Sequence, residues 1–185
     1  MEPNSRKEDI KKRMLELSEI GLYIDNYDFI FSDFDPRPFK ERDVSEDFME
    51  AAARLFRKNK TRKVDLSLLI SSDKRKADDE AVIKERLKEY FSLCNKKIQS
   101  EMKDISKKGF IFIALGVFFM LAATYSLSIP QDSFLKKFII IIFEPSGWFF
   151  FWEGLNKLLL EASRMKPNAD FYAGMADCNI YFISY

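Results

Sequence analysis

The chain has 185 residues, with 30 Lys+Arg against 29 Asp+Glu and a net charge of +1. That balance argues against a strongly basic nucleic-acid binder. With no histidine and only two cysteines, the composition excludes histidine triads, histidine or four-cysteine zinc sites, a histidine pH switch and a disulfide framework.

Residues near 6–20 read as a helix with Ile10, Met14 and Leu17 on one face. An aromatic segment, Tyr23 to Phe39, follows, and Pro36 and Pro38 end regular structure there. Ser45 suits a helix N-cap, and Glu46 and Asp47 suit a first turn. That helix is expected to run to about Lys58, with Phe48, Ala52, Leu55 and Phe56 inward. Val64, Leu66, Leu68 and Ile70 alternate with Asp65 and Ser67, the period of a strand. From about Asp78, Ile83, Leu87, Tyr90, Cys94, Ile98, Met102 and Ile105 recur at spacings of 3 and 4. No proline or glycine intervenes before Gly109, so one long helix is expected to lead from the cytosol into a first membrane span. Its apolar stripe would pack on the domain or on copies of itself.

Residues 109–131 carry no charged side chain. A bilayer-spanning helix needs about 20 such residues, and a buried soluble helix of that length would carry a polar stripe. The stretch also lies far from the signal-peptide position. A second apolar stretch runs from Phe138 to Leu160 and is expected to cross back. Pro145 and Gly147 predict a kink or break in it, with a re-entrant segment as the alternative. Trp148 and Trp152 suit an interfacial level. Lys96, Lys97, Lys103, Lys107 and Lys108 precede the first span, and Lys157, Arg164 and Lys166 end or follow the second. The positive-inside rule then places both termini in the cytoplasm and the chain in the cytoplasmic membrane. Two unpaired cysteines fit that reducing side.

Cys178 to Tyr185 reads as a strand and needs a partner, which the strand at 64–70 can supply once the hairpin returns the chain. Residues 1–108 hold 25 of the Lys+Arg and 23 of the Asp+Glu. The expected organisation is therefore a cytosolic α+β domain at 1–108, a two-span helical hairpin at 109–160, and a helix and strand at 161–185 completing the soluble domain.

Three groups of residues invite chemistry. The first, Ile30 to Asp35, looks like the opening motif of haloacid-dehalogenase-type phosphatases, an apolar strand ending in Asp-x-Asp. There one carboxylate attacks phosphorus and the other acts as general acid, beside magnesium. Ser71, Lys74 and Asp78-Asp79 mimic the later motifs. However, Pro36-Arg37-Pro38 replaces the usual flexible glycine, and about 50 residues cannot supply a doubly wound sheet. The alternative is a turn in which Asp33 and Asp35 bond backbone or Arg37, with Phe31 and Phe39 flanking it as an interaction segment or packing inward. The second is the basic cluster of Arg54, Arg57, Lys58, Lys60, Arg62 and Lys63, which suits anionic lipid or a solvated helix end. The third, Glu144, Glu153, Asn156 and Lys157, lies in or near the second span. Such groups mark a pathway or an interhelical bond. Otherwise Glu144 sits at the outer interface, and Glu153 pairs with Lys157 four residues on. No cofactor or metal is called for.

Phe31 to Phe39, Glu41 to Phe48, the basic helix entering the first span, Gly147-Trp148 to Trp152-Glu153 and the terminal strand together resemble a group of small prokaryotic two-span membrane proteins. In that group the Glu-to-Gly-Trp spacing tends to be longer than Glu144 to Trp148, and a proline stands where Gly154 stands here. The resemblance implies the hairpin topology and no activity. The expected function is a non-enzymatic membrane module for assembly, sensing or recruitment, partnered by the membrane and by copies of itself or another membrane protein, without nucleic acid. The alternatives are an oligomeric channel or membrane-disrupting effector, and a membrane-tethered phosphohydrolase using Asp33 and Asp35.

Overall fold

A computed structural model describes residues 20–58, 64–128, 130 and 133–184. The helix expected near 6–20 therefore lies outside the described residues except at Ile20, which is the first residue of a strand. The chain divides into two compact units, residues 1–97 with 167–185, and residues 98–166.

The first unit is built on three parallel strands in the order β1 (Ile20–Tyr23), β2 (Leu66–Ile70) and β3 (Ile180–Ser184). Leu66 is in register with both Ile20 and Ile180. The expected pairing of the 64–70 strand with the C-terminal strand is thus present, and because every pair is parallel the unit is α/β and not the α+β domain expected. Parallel neighbours need crossovers. A crossover helix, α1 (Glu46–Lys58), lies between β1 and β2 in the chain. The β2–β3 crossover contains α2 (Ala77–Leu127), α3 (Phe134–Asn156), a π-turn (Lys157–Glu161) and α4 (Ala162–Ala176). The alternation read at 64–70 suggested one buried face, yet all five residues of β2 are buried, Ser67 included. A central parallel strand is covered on both faces, so inward and outward positions are both desolvated.

Around β2 pack Phe48 and Ala52 of α1, Ile83, Leu87 and Phe91 of α2, and Phe171 and Met175 of α4. The stripe on α2 points inward as expected at Ile83 and Leu87, while Phe91 is a core residue that the stripe omitted. At one edge Asp65 accepts the backbone and side-chain N–H of Asn179, both at 3.2 Å. Beyond the other ends of the strands, the Tyr27 hydroxyl donates to Glu80 at 3.0 Å and accepts the Lys76 N–H at 3.0 Å. Arg75 grips the same carboxylate at 2.8 and 2.9 Å and donates to Ser184 at 3.2 Å.

The second unit is an antiparallel helical hairpin formed by α2 beyond Ile98 and by α3. Both helices are long and apolar enough to cross a membrane. They meet through glycine. A Cβ on Gly116 would lie 2.6 Å from the Phe151 nitrogen and 2.8 Å from the Gly147 carbonyl oxygen. A Cβ on Gly154 would lie 2.7 Å from the Gly109 carbonyl oxygen. Backbone thus touches backbone at two places seven residues apart on each helix. The predicted break at Pro145 is absent: α3 continues through it. A proline removes one helical hydrogen bond, and the contact of Gly147 with Gly116 and Met120 holds the helix on its partner just beyond that gap.

Candidate functional site

The aromatic segment is a clasp. Phe31 is buried, pairs with Val44 in an isolated bridge, and stacks on Phe39 at 5.3 Å between centroids. Asp35 accepts Arg37 through Nε at 2.9 Å and Nη2 at 2.7 Å, and also accepts the backbone N–H groups of Arg37 and Asp43. The Arg37 guanidinium holds the Asp35 carboxyl well below the usual carboxylate range. Arg42 ties the same loop to Asp28 at 2.6 Å and to the Ser32 carbonyl at 3.1 Å. Ile30 ends a 3₁₀ turn, Tyr27–Ile30, so the Asp-x-Asp pattern does not close a strand as the phosphatase motif would. Asp33 is exposed, and between it and Asp35 stands Phe34, 98% exposed. Of the expected interaction segment, then, Phe31 and Phe39 face inward, Asp35 and Arg37 hold the loop, and Phe34 is what the loop displays. A phenylalanine between two aspartates carries no periodic signal that would have singled it out.

Of the basic cluster, Lys60, Arg62 and Lys63 lie outside the described residues. Arg57 and Lys58 close α1, where cations complement the helix dipole. Arg57 donates to Asn168 of α4 at 3.2 Å. It and Arg54 border a groove of about 420 Å³ floored by Met49, Ala53, Phe171 and Tyr172. Just before β3, Cys178 is buried, and burial pushes its thiol up to about 11. Such a thiol is inert at neutral pH.

In the hairpin, Lys157 lies 2.9 Å from Glu153 and 3.2 Å from Glu161, and 5.8 Å from the centre of the Phe112 ring. Glu153 pairs as its spacing suggested. Glu161 joins it, each carboxylate one turn from the lysine. The ladder is level with Gly109, because Gly154 sits against Gly109 and Ile113, and Lys107 and Lys108 immediately precede Gly109. It therefore marks the charged end of the hairpin. Asn156 is half-buried beside it and borders an open apolar groove of about 650 Å³ with Trp152 and Leu159.

Glu144 is placed differently. Of the two places open to it in the sequence, inside the second span or at its outer end, it takes neither terminus of α3 and lies ten residues into that helix. Gly147 faces Gly116 and Met120, and the Phe143 ring meets the Phe119 ring at 5.1 Å. Glu144 is therefore level with about Phe119, roughly 15 Å from the Gly109 level and roughly 12 Å from Leu127 at 1.5 Å per residue. Its side chain is exposed on the hairpin surface and has no ion pair or side-chain hydrogen bond among the described residues.

The structure brings together Asp35 with Arg37, and Glu153 with Lys157, but leaves Glu144 and Asp33 apart from either pair. The sequence shows the common spacing of seven in Gly109/Gly116 and Gly147/Gly154, but not that the two pairs face each other. No protein-family model matches the chain, and neither does any curated protein or solved structure.

Proposed function

We propose that the chain is an integral protein of the cytoplasmic membrane and acts as a non-enzymatic module for assembly, sensing or recruitment. The hairpin of residues 98–166 crosses the bilayer twice, and the α/β unit and both termini lie in the cytoplasm. One observation carries the reading: the hairpin is inverted relative to a protein built for water. Its backbones approach each other at Gly109, Gly116, Gly147 and Gly154, while Phe110, Phe118, Leu121, Ile141 and Phe149 face outward, each at least 61% exposed. An apolar surface of that extent aggregates in water. In lipid it is solvated, and small residues supply the close packing that holds the helices together. The clasp supports recruitment rather than catalysis, because the bonds of Asp35 are spent on holding a loop that displays Phe34. The channel reading has one specific observation in its favour, the carboxylate of Glu144 midway along the hairpin.

Cysteine labelling tests the topology. Cys94 is replaced by Ala, and Cys178 is left because it is buried. Asp33→Cys and Ser128→Cys variants are then treated in intact cells with a membrane-impermeant maleimide. The expected result is labelling at position 128 alone. Labelling at position 33 in intact cells, or labelling at position 128 only after lysis, overturns the topology.

A further inference from the structure

We propose that the face of α3 around Glu144 is a contact between copies of this chain inside the bilayer, with Glu144 as its polar centre. The inference rests on the membrane reading above. Its starting point is an imbalance. Glu144 lies about midway along the charge-free stretch of α2, exposed and unpaired among the described residues. An ionisable group at that depth is costly unless it finds a polar partner. The ends of the hairpin do not supply one. Lys137 is seven residues away, roughly 10 Å along the helix, and Lys157 is engaged by Glu153 and Glu161.

The helix supplies a matching deficit next to the carboxyl. Pro145 has no N–H, so the carbonyl of Ile141 lacks its usual donor four residues on. The Ser146 hydroxyl does not fill that gap, because it donates to Ile142 at 2.6 Å. One surface therefore carries a carboxyl group without a partner among the described residues and, one turn away, a backbone acceptor without its usual helical donor. A glutamic acid O–H from a second copy satisfies the Ile141 carbonyl, and the reciprocal contact satisfies the first copy. The complementarity is of the face with itself, as a two-fold contact requires. Ile141 and Trp148 flank Glu144 on the exposed side of α3, 68% and 53% exposed. They seal the polar pair from lipid. The glycine contacts stay within each chain, so pairing does not compete with the hairpin.

The test is energy transfer between donor- and acceptor-labelled full-length chains in liposomes over a range of protein-to-lipid ratios. Wild type is expected to associate. Glu144→Gln keeps a donor and an acceptor and should associate within about threefold of wild type, whereas Glu144→Leu should weaken association by about tenfold or more. Pro145→Ala returns the missing N–H to Ile141 and should weaken it about threefold. Wild type that stays monomeric at every ratio, or Glu144→Leu that associates as wild type does, overturns the proposal. Alkaline carbonate washing of the same liposomes separates the two readings. Chain that washes off overturns both, whereas chain that resists washing with unchanged Glu144→Leu association overturns the contact alone.

Discussion

Arg75 and Glu80 form a two-pronged pair in which both carboxylate oxygens are used, and the Tyr27 hydroxyl donates to one of them. The Glu80 side chain is 8% exposed. Removing it leaves the guanidinium and the phenol short of a partner where water reaches poorly. Glu80→Ala should therefore lower the stability of the α/β unit by about 1–3 kcal/mol, read as faster hydrogen exchange at the β2 amides. The pair also fixes a pH dependence. Arg75 is the main cause that holds the Glu80 carboxyl below its ordinary value, with the Tyr27 hydrogen bond acting the same way. The Arg37 guanidinium does the same for Asp35. A carboxyl lowered by folding binds fewer protons folded than unfolded. Its stabilisation is complete above the unfolded value of about 4 and is lost as pH falls from there through the folded value. Protection at β2 should thus hold from neutral pH down to about 5 and decline below about 4. Asp35→Asn and Glu80→Ala should each flatten that decline.

Between helices, the deciding contacts are between backbones. At Gly116 the atoms that a methyl would strike belong to Phe151 and Gly147 main chain, which no rotamer change can move. Gly116→Ala must push α3 away and should cost the hairpin about 1–3 kcal/mol. The chain's two tryptophans, Trp148 and Trp152, both lie on α3, so their fluorescence during denaturation in detergent reports the loss. Ala114→Leu, on the exposed side of the same helix, should leave the midpoint unchanged, and equal effects of the two substitutions would refute the crossing. The same contact explains what the sequence disclosed. Length and apolarity made both helices legible, because each is a property of one segment. The facing of Gly109 with Gly154 and of Gly116 with Gly147 is a property of two segments, and single-segment periodicity is blind to it. The same blindness left the depth of Glu144 open, since a proline and a glycine nearby read as a break until the partner helix is known. β1 was hidden for a related reason. Ile20-Gly21-Leu22-Tyr23 is four residues long, ends a stretch with helical spacing, and is a strand only because β2 pairs with it.

At the scale of the chain, the sheet is closed by its two distant ends. Leu66 pairs with Ile180, and the whole of residues 98–166 lies between them in sequence. Such a contact forms late, because a long loop must close before it is rewarded. β2 must therefore wait for its second neighbour until the hairpin has been made and the chain has returned. Asp65 is the clamp for that step, since it accepts both N–H donors of Asn179 while the Leu66 N–H donates to the Asn179 carbonyl at 2.8 Å. The consequence separates the two units. The hairpin has its own contacts, the glycine crossing and the Glu153–Lys157–Glu161 ladder, and none of them involves β3. The α/β unit, by contrast, loses the buried Cys178, Ile180 and Phe182 together with one whole edge of β2 if the last strand is removed. A chain truncated after Ala176 should still resist carbonate extraction from membranes while its residues 20–97 become protease-sensitive. Limited proteolysis of membrane vesicles, followed by mass analysis of the retained fragment, reads both outcomes at once. Full-length chain should yield a protected α/β unit, and truncated chain a protected hairpin alone. Loss of the truncated chain from the membrane, or survival of an intact 20–97 segment in it, would show that β3 does not complete the soluble unit.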